Sequence, residues 1–247
     1  MLSNLRPSRR SLQGDPSIGS RERFPNQPYL DLLRVFFTIL VFFQHAYNFG
    51  LRHLGGAGVA GFFVLSGFLI TTLLLKEEAR HGRVCYPSFL VRRMLRIWPA
   101  YFMCLVVLNG VVGFSTLEYR ALVSDMTFTR TFLGRDLFTD NGGHLWSIAV
   151  EEQFYFVWPV AFIFLKNIYV RATFLCAGLL YLSVYRGYIS DRFIPILVGC
   201  LFGVIYHKIR SGVVQRYLPL LWLPALLAFM FLAVGSHGGG CFMSFLV

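Results

Sequence analysis

Three groups of ionisable residues lie in or beside long apolar runs: Arg34 with His45, the pair Glu151-Glu152, and the basic cluster Arg92, Arg93 and Arg96. An ionisable group inside an apolar helix is costly and needs a partner or a cavity, so each such group marks a candidate site. Arg34 and His45 are eleven residues apart, which on a helix is three turns plus about 20°. Both therefore share one face, separated by about 16 Å along the axis. Glu151 lies about seven residues into its own apolar run and His45 about five from the end of its run, so the two are expected at similar depth. A histidine beside a carboxylate in a dry bundle makes an acid–base pair, the carboxylate orienting the imidazole and stabilising its protonated form. His144, Ser147 and Glu151 recur at helical spacing and give that helix one polar face. A snorkelling arginine, a hydrogen-bonded histidine and a bundle-holding polar contact explain the same positions. Position alone leaves both accounts open.

The segment YPSFLVRRMLRIWP (Tyr86–Pro99) places Arg92, Arg93 and Arg96 on one side of a helix at i, i+3 and i+4 spacing. Guanidinium groups there suit bidentate contact with the phosphates of an anionic ligand. An arginine anchor at lipid headgroups has the same pattern. Gly56–Gly61 formally matches GxGxxG, but no strand precedes it, so close helix packing is the better account. Ser66-Gly67-Phe68 reads as a second point of close approach. The five cysteines are scattered, without CxxC or histidine partners at ligand spacing, so neither a disulfide framework nor a metal site is expected.

The elements that must position these residues are membrane helices. The 247 residues are 56% hydrophobic and 14% charged, where a soluble domain carries about 25% charged residues. Apolar runs long enough to span a bilayer predict an all-α transmembrane bundle of about seven spans. They are Tyr29–Gly50, Gly56–Leu75, Ile97–Gly113, His144–Leu165, Ala172–Tyr185, Phe193–Tyr206 and Tyr217–Val234. A partial eighth follows at Cys241–Val247.

With the N-terminus cytoplasmic, 16 of the 23 Lys and Arg fall on the inner side and six outside, Arg34 being left within a span. That is the positive-inside pattern. The net charge of +11 thus belongs to membrane topology and not to nucleic-acid binding. Residues 1–28 read as a disordered basic cytoplasmic tail and 29–247 as one membrane domain, whose sizeable external connection is Phe114–Gly143.

Four motifs stand in order: Arg34-x10-His45, GVAGFFVLSGFLI (Gly58–Ile70), RRMLRIWPAY (Arg92–Tyr101) and HLWSIAVEEQFYFVWP (His144–Pro159). Together they resemble the acyltransferase-3 family, membrane acyltransferases that O-acylate bacterial surface sugars and some small molecules. The resemblance runs from about Tyr29 to about Tyr206. It implies a multi-pass protein of the bacterial inner membrane, an acyl-CoA donor (acetyl-CoA) from the cytoplasm, and a carbohydrate or small-molecule acceptor. It implies His45 as the essential histidine, base or nucleophile, with Arg34 its helical companion. Glu151 matches the acidic position, while Glu152 falls where the pattern is looser. Arg92, Arg93 and Arg96 match the basic motif associated with donor binding. Family members continue into further helices, so the chain reads as truncated at its C-terminus. A transporter using the buried charges, or an inactive fragment of such an enzyme, are the alternatives. The lack of repeat symmetry between halves speaks against transport.

Overall fold

A computed structural model describes residues 28–46, 52–112, 122–132, 145–185 and 190–209. Apart from short turns, the described residues are helical, with no strand among them. We label the long helices α1 (Pro28–Ala46), α2 (Arg52–His81), α3 (Tyr86–Val112), α4 (Trp146–Phe164), α5 (Ile168–Val184) and α6 (Ser190–Lys208). A helical turn at 122–126 and a 3₁₀ turn at Arg130–Phe132 lie between α3 and α4. The expected tail, the span Tyr217–Val234 and the stub Cys241–Val247 fall outside the described residues.

α2 is the hub. It packs against α6 most extensively, against α1 on another side, and touches α4. Glycine makes the α2–α6 contact as close as it is. A Cβ on Gly67 would stand 2.2 Å from the Ile196 carbonyl oxygen, and one on Gly199 would stand 2.1 Å from that of Val64. Each glycine thus receives the partner helix backbone, and no side chain fits at either position. Gly61 does the same for α1, leaving room for the fully buried Phe37 ring. The reading of the small residues as packing positions holds.

α4 is tied to α2 by Trp158, whose indole Nε1 donates to Thr71 Oγ1 at 3.0 Å in a buried setting. Phe154 stacks on Trp158, and Phe162 meets its edge.

Several helices outrun the apolar spans. α2 continues to His81 because its last two turns are polar and carry Lys76, Glu77 and Glu78 beyond the apolar run. α3 begins at Tyr86, so the basic segment is one helix with the span that follows, and Pro99 sits inside it. α5 starts at Ile168 because the Asn167 side chain accepts from the Tyr169 amide at 2.8 Å, an N-cap. One stretch, Gly55–His81, meets the length and apolarity of a membrane crossing among the described residues, and Ile168–Val184 is a shorter apolar helix. The expected count of seven spans is therefore represented by a single clear one.

The outer surface is itself apolar. Leu95 and Val106 of α3 are each 72% exposed, Phe164 of α4 79% and Leu180 of α5 68%. Buried polar and charged groups include Glu152, Arg171 and Arg192. Water disfavours so much exposed apolar surface, whereas a hydrocarbon surround accepts it.

Candidate active site

Glu151 is the best-ordered candidate. It projects from the second turn of α4 toward α2, where Ser66 Oγ donates to its Oε1 at 2.6 Å. Tyr155, one turn further along α4, donates its hydroxyl to Oε2 at 3.2 Å. Both carboxylate oxygens are thereby fixed, one by each hydroxyl. Arg93 of α3 lies over the Tyr155 ring, its guanidinium carbon 5.6 Å from the centroid, and 5.8 Å from that of Phe89. Arg93 is within electrostatic reach of Glu151, and so is Arg34 of α1. Residues of α2 and α4 thus hold the carboxylate, with Arg93 of α3 and Arg34 of α1 within electrostatic reach.

Arg34 forms an ion pair with Asp31 at 3.0 Å, one turn earlier on α1. Sequence reading treated Arg34 as the charge left over in a span; Asp31 is its local partner. His45 lies in α1 on the face that carries Arg34, by the eleven-residue spacing. Phe37 packs on Gly61 and Val41 on Gly58, so His45 stands about three turns from the level of Ser66 and Glu151, and the matched depth expected for His45 and Glu151 is not met. Its side chain is outside the described residues, as is His144.

The basic cluster divides. Arg93 faces inward to Tyr155, while Arg92 and Arg96 are exposed. Arg92 donates to Ser88 Oγ and pairs with Glu77 of α2 at 3.5 Å. Neighbouring residues on a helix differ by about 100° in direction, so Arg92 and Arg93 cannot present to the same point. The expected single face is replaced by an inward arginine and two at the rim.

Glu152 goes elsewhere. It is fully buried and turned toward α3, where Trp98 Nε1 donates to its Oε2 at 3.3 Å. Beyond it, Gln153 Nε2 donates to the Phe128 carbonyl at 2.6 Å. Tyr101 donates its hydroxyl to the Asp125 carbonyl at 3.0 Å. Segment 122–132 is therefore seated on α3 and α4, held by Phe128 stacked on Tyr101 with centroids 5.0 Å apart. Within it, Asp125 and Arg130 form a buried ion pair.

Burial raises the Asp125 carboxyl to about 6, and the Arg130 charge opposes the rise without cancelling it. The folded chain then holds this proton more tightly than the unfolded chain does. Stability from this group is greatest at low pH and falls as pH rises from about 4 to about 6, by on the order of 2 kcal/mol. Thermal unfolding in detergent micelles across that window should show the decline, and Asp125→Asn should flatten it. A wild-type profile identical to that of the variant would refute the assignment.

Ser66 and Tyr155 were missed as site residues. Tyr155 had a signal, since it stands at i+4 from Glu151 on the same helix. Ser66 sits in the small-residue run VLSGF, where packing explains a serine as well as chemistry does.

A carboxylate fixed by two hydroxyls and flanked by guanidinium groups is suited to holding an anionic substrate. The family model described as Acyltransferase domain, the acyltransferase-3 model, matches residues 27–247, and the chain belongs to that family of acyltransferases. It is 35% identical over 147 residues to the "Putative peptidoglycan O-acetyltransferase YrhL" of Bacillus subtilis (strain 168), covering 54% of this chain and 23% of that protein. It is likewise 35% identical over 154 residues to the peptidoglycan O-acetyltransferase OatA of Listeria monocytogenes serovar 1/2a, covering 56% of this chain and 25% of OatA. The chain thus spans about a quarter of the length of the curated relatives it matches. No solved structure matches it.

Proposed function

We propose that this chain is a multi-pass membrane enzyme that moves an acyl group, acetyl in the simplest case, from acyl-CoA to a carbohydrate hydroxyl. The observation that carries the reading is Glu151, held by Ser66 and Tyr155 within reach of Arg93 and Arg34, in a chain of this family. The relatives' names point to a glycan of the peptidoglycan type as acceptor.

The apolar outer faces of α1, α3, α4 and α5 support bilayer embedding beyond α2 alone, in a bacterial cell membrane with the N-terminus cytoplasmic. Arg92, Arg93 and Arg96 then lie toward the cytoplasmic end of α3 and are the groups to receive the donor's phosphates. His45 takes the proton of the acceptor hydroxyl. The hydroxyl oxygen bonds to the thioester carbonyl carbon, the C–S bond breaks, and the departing thiolate takes the proton from the imidazolium. In the alternative sequence His45 first accepts the acyl group and then passes it to the hydroxyl. Glu151, held level with Arg34 and not with His45, sets the charges of Arg93 and Arg34 along the path of the acyl arm.

Transfer of radiolabelled acetyl from acetyl-CoA to a soluble glycan should be measurable with the detergent-solubilised chain. It should fall by about 10³-fold in His45→Ala, the loss expected when an essential acid–base group is removed. Undiminished transfer in that variant would sink the assignment of His45.

A further inference from the structure

We infer that the buried polar and aromatic surface of α3 and α4 now covered by segment 122–132 is the acceptor subsite, in which Glu152 and Gln153 take hydrogen bonds from carbohydrate hydroxyls. The inference rests on the acyltransferase reading above and adds to it where the acceptor lies.

Glu151 and Glu152 are consecutive on α4 and so point about 100° apart. Glu151 looks toward Ser66, Arg93 and Arg34. Glu152 looks the other way, toward Trp98. The two carboxylates therefore serve different spaces. The first has cations and suits an anionic donor. The second presents acceptor oxygens beside the buried Asp125–Arg130 pair and aromatic rings, a polar but charge-paired setting that suits a neutral hydroxylated group.

Those acceptors are under-used. Among the described residues, Glu152 Oε1, Gln153 Oε1 and Asp125 Oδ1 are buried and have no hydrogen-bond partner. Tyr101, which donates to the Asp125 carbonyl, lies within electrostatic reach of Asp125, Arg130 and Glu152. Buried acceptors are rarely left without donors, and several together call for a group that brings hydroxyls. The walls are aromatic: Trp98 and Tyr101 flank Phe128 with centroids 5.8 and 5.0 Å away. Flat apolar faces with convergent acceptors match a pyranose, which offers C–H faces and a rim of hydroxyls.

Segment 122–132 packs over this surface, held by Tyr101 and Gln153. Phe128 holds it with φ 54, a left-handed conformation unfavourable for a non-glycine residue. Such strain persists only where surrounding contacts over-determine it. Those contacts are the ring stack and the Gln153 hydrogen bond. An entering sugar replaces both, stacking where Phe128 stacks and engaging the amide that now holds the Phe128 carbonyl.

The test uses the whole chain in detergent with [14C]acetyl-CoA and soluble peptidoglycan glycan fragments. In Glu152→Gln, Trp98 keeps the amide oxygen, so the NH₂ replaces an acceptor at this surface. The acceptor concentration for half-maximal transfer should rise about 10-fold, with that for acetyl-CoA within about twofold of wild type. Gln153→Leu should act in the same direction. The fragments should also raise the wild-type Tm, and both variants should lose that shift. This second readout needs no catalysis. Variants with the wild-type acceptor dependence and Tm shift would overturn the subsite while leaving the acyltransferase reading intact, as would an equal change in acetyl-CoA saturation. A wild type that binds the fragments but transfers no acetyl would instead count against the acyltransferase reading.

Discussion

Replacing Glu151 by glutamine is expected to lower acetyl transfer by about 10²- to 10⁴-fold while leaving the half-saturating acetyl-CoA concentration unchanged or lower. The argument turns on what glutamine keeps. Its shape is that of glutamate, and the Ser66 and Tyr155 hydroxyls can rotate to serve an amide as donor or acceptor. The hydrogen-bonded frame joining α2 to α4 therefore survives. The negative charge does not, and with it goes the field that sets Arg93 and Arg34 along the path of the acyl arm. Arg93 and Arg34 also lose the carboxylate that competes for them, so an anionic donor should bind at least as well. A fall in turnover without a rise in donor KM separates this from general damage. Ser66→Ala should lie between, losing about 10-fold, because one oxygen of the carboxylate is released and the other stays held. Unchanged turnover in Glu151→Gln with a lowered Tm would reduce Glu151 to a bundle contact.

How far this arrangement was legible in the sequence depends on what kind of information each feature needs. Helices were legible because apolar length and small-residue spacing are local properties. Gly67 and Gly199 then proved to be the places where two backbones meet. Helix ends were less so. The polar turns of α2 and the basic start of α3 look like loops to a criterion built on apolarity, although Lys, Glu and Arg propagate helices well. Glu151 stood out in the sequence as a carboxylate in an apolar run, although a bundle-holding contact explained the same position. The division of labour between Glu151 and Glu152 was not legible. It depends on which neighbour each faces, and that is set by the packing of α2 and α3 on opposite sides of α4. The splitting of the arginine cluster has the same origin. Arg92 and Arg96 lie at the rim while Arg93 turns inward, since Tyr155 stands where Arg93 can cover it.

The largest expected loss of stability lies away from the site, at Arg171. This residue is 2% exposed at its side chain and donates two hydrogen bonds to Glu78, at 2.7 and 2.8 Å. Its Nη2 also reaches the Phe162 carbonyl at 3.1 Å, and its guanidinium carbon lies 3.5 Å from the Phe162 ring centroid. One side chain thus joins α2, the end of α4 and α5. Breaking a buried pair costs more than the pair contributes, because it strands the remaining charge. The two partners differ in how badly they are stranded. Glu78 is 33% exposed at its side chain and can turn to water. Arg171 is enclosed and its side chain has no route to water. Glu78→Leu should therefore destabilise by about 3–5 kcal/mol, and Arg171→Leu by less, about 2 kcal/mol. The double variant Glu78→Leu/Arg171→Leu should recover part of the loss, since two leucines leave no buried charge. Arg171→Lys should not restore stability, because a single ammonium cannot span both Glu78 oxygens and the Phe162 carbonyl. Thermal unfolding of the four variants in one detergent gives the cycle. Equal losses in the two single variants that simply add in the double would mean that the pair is solvated and structurally idle.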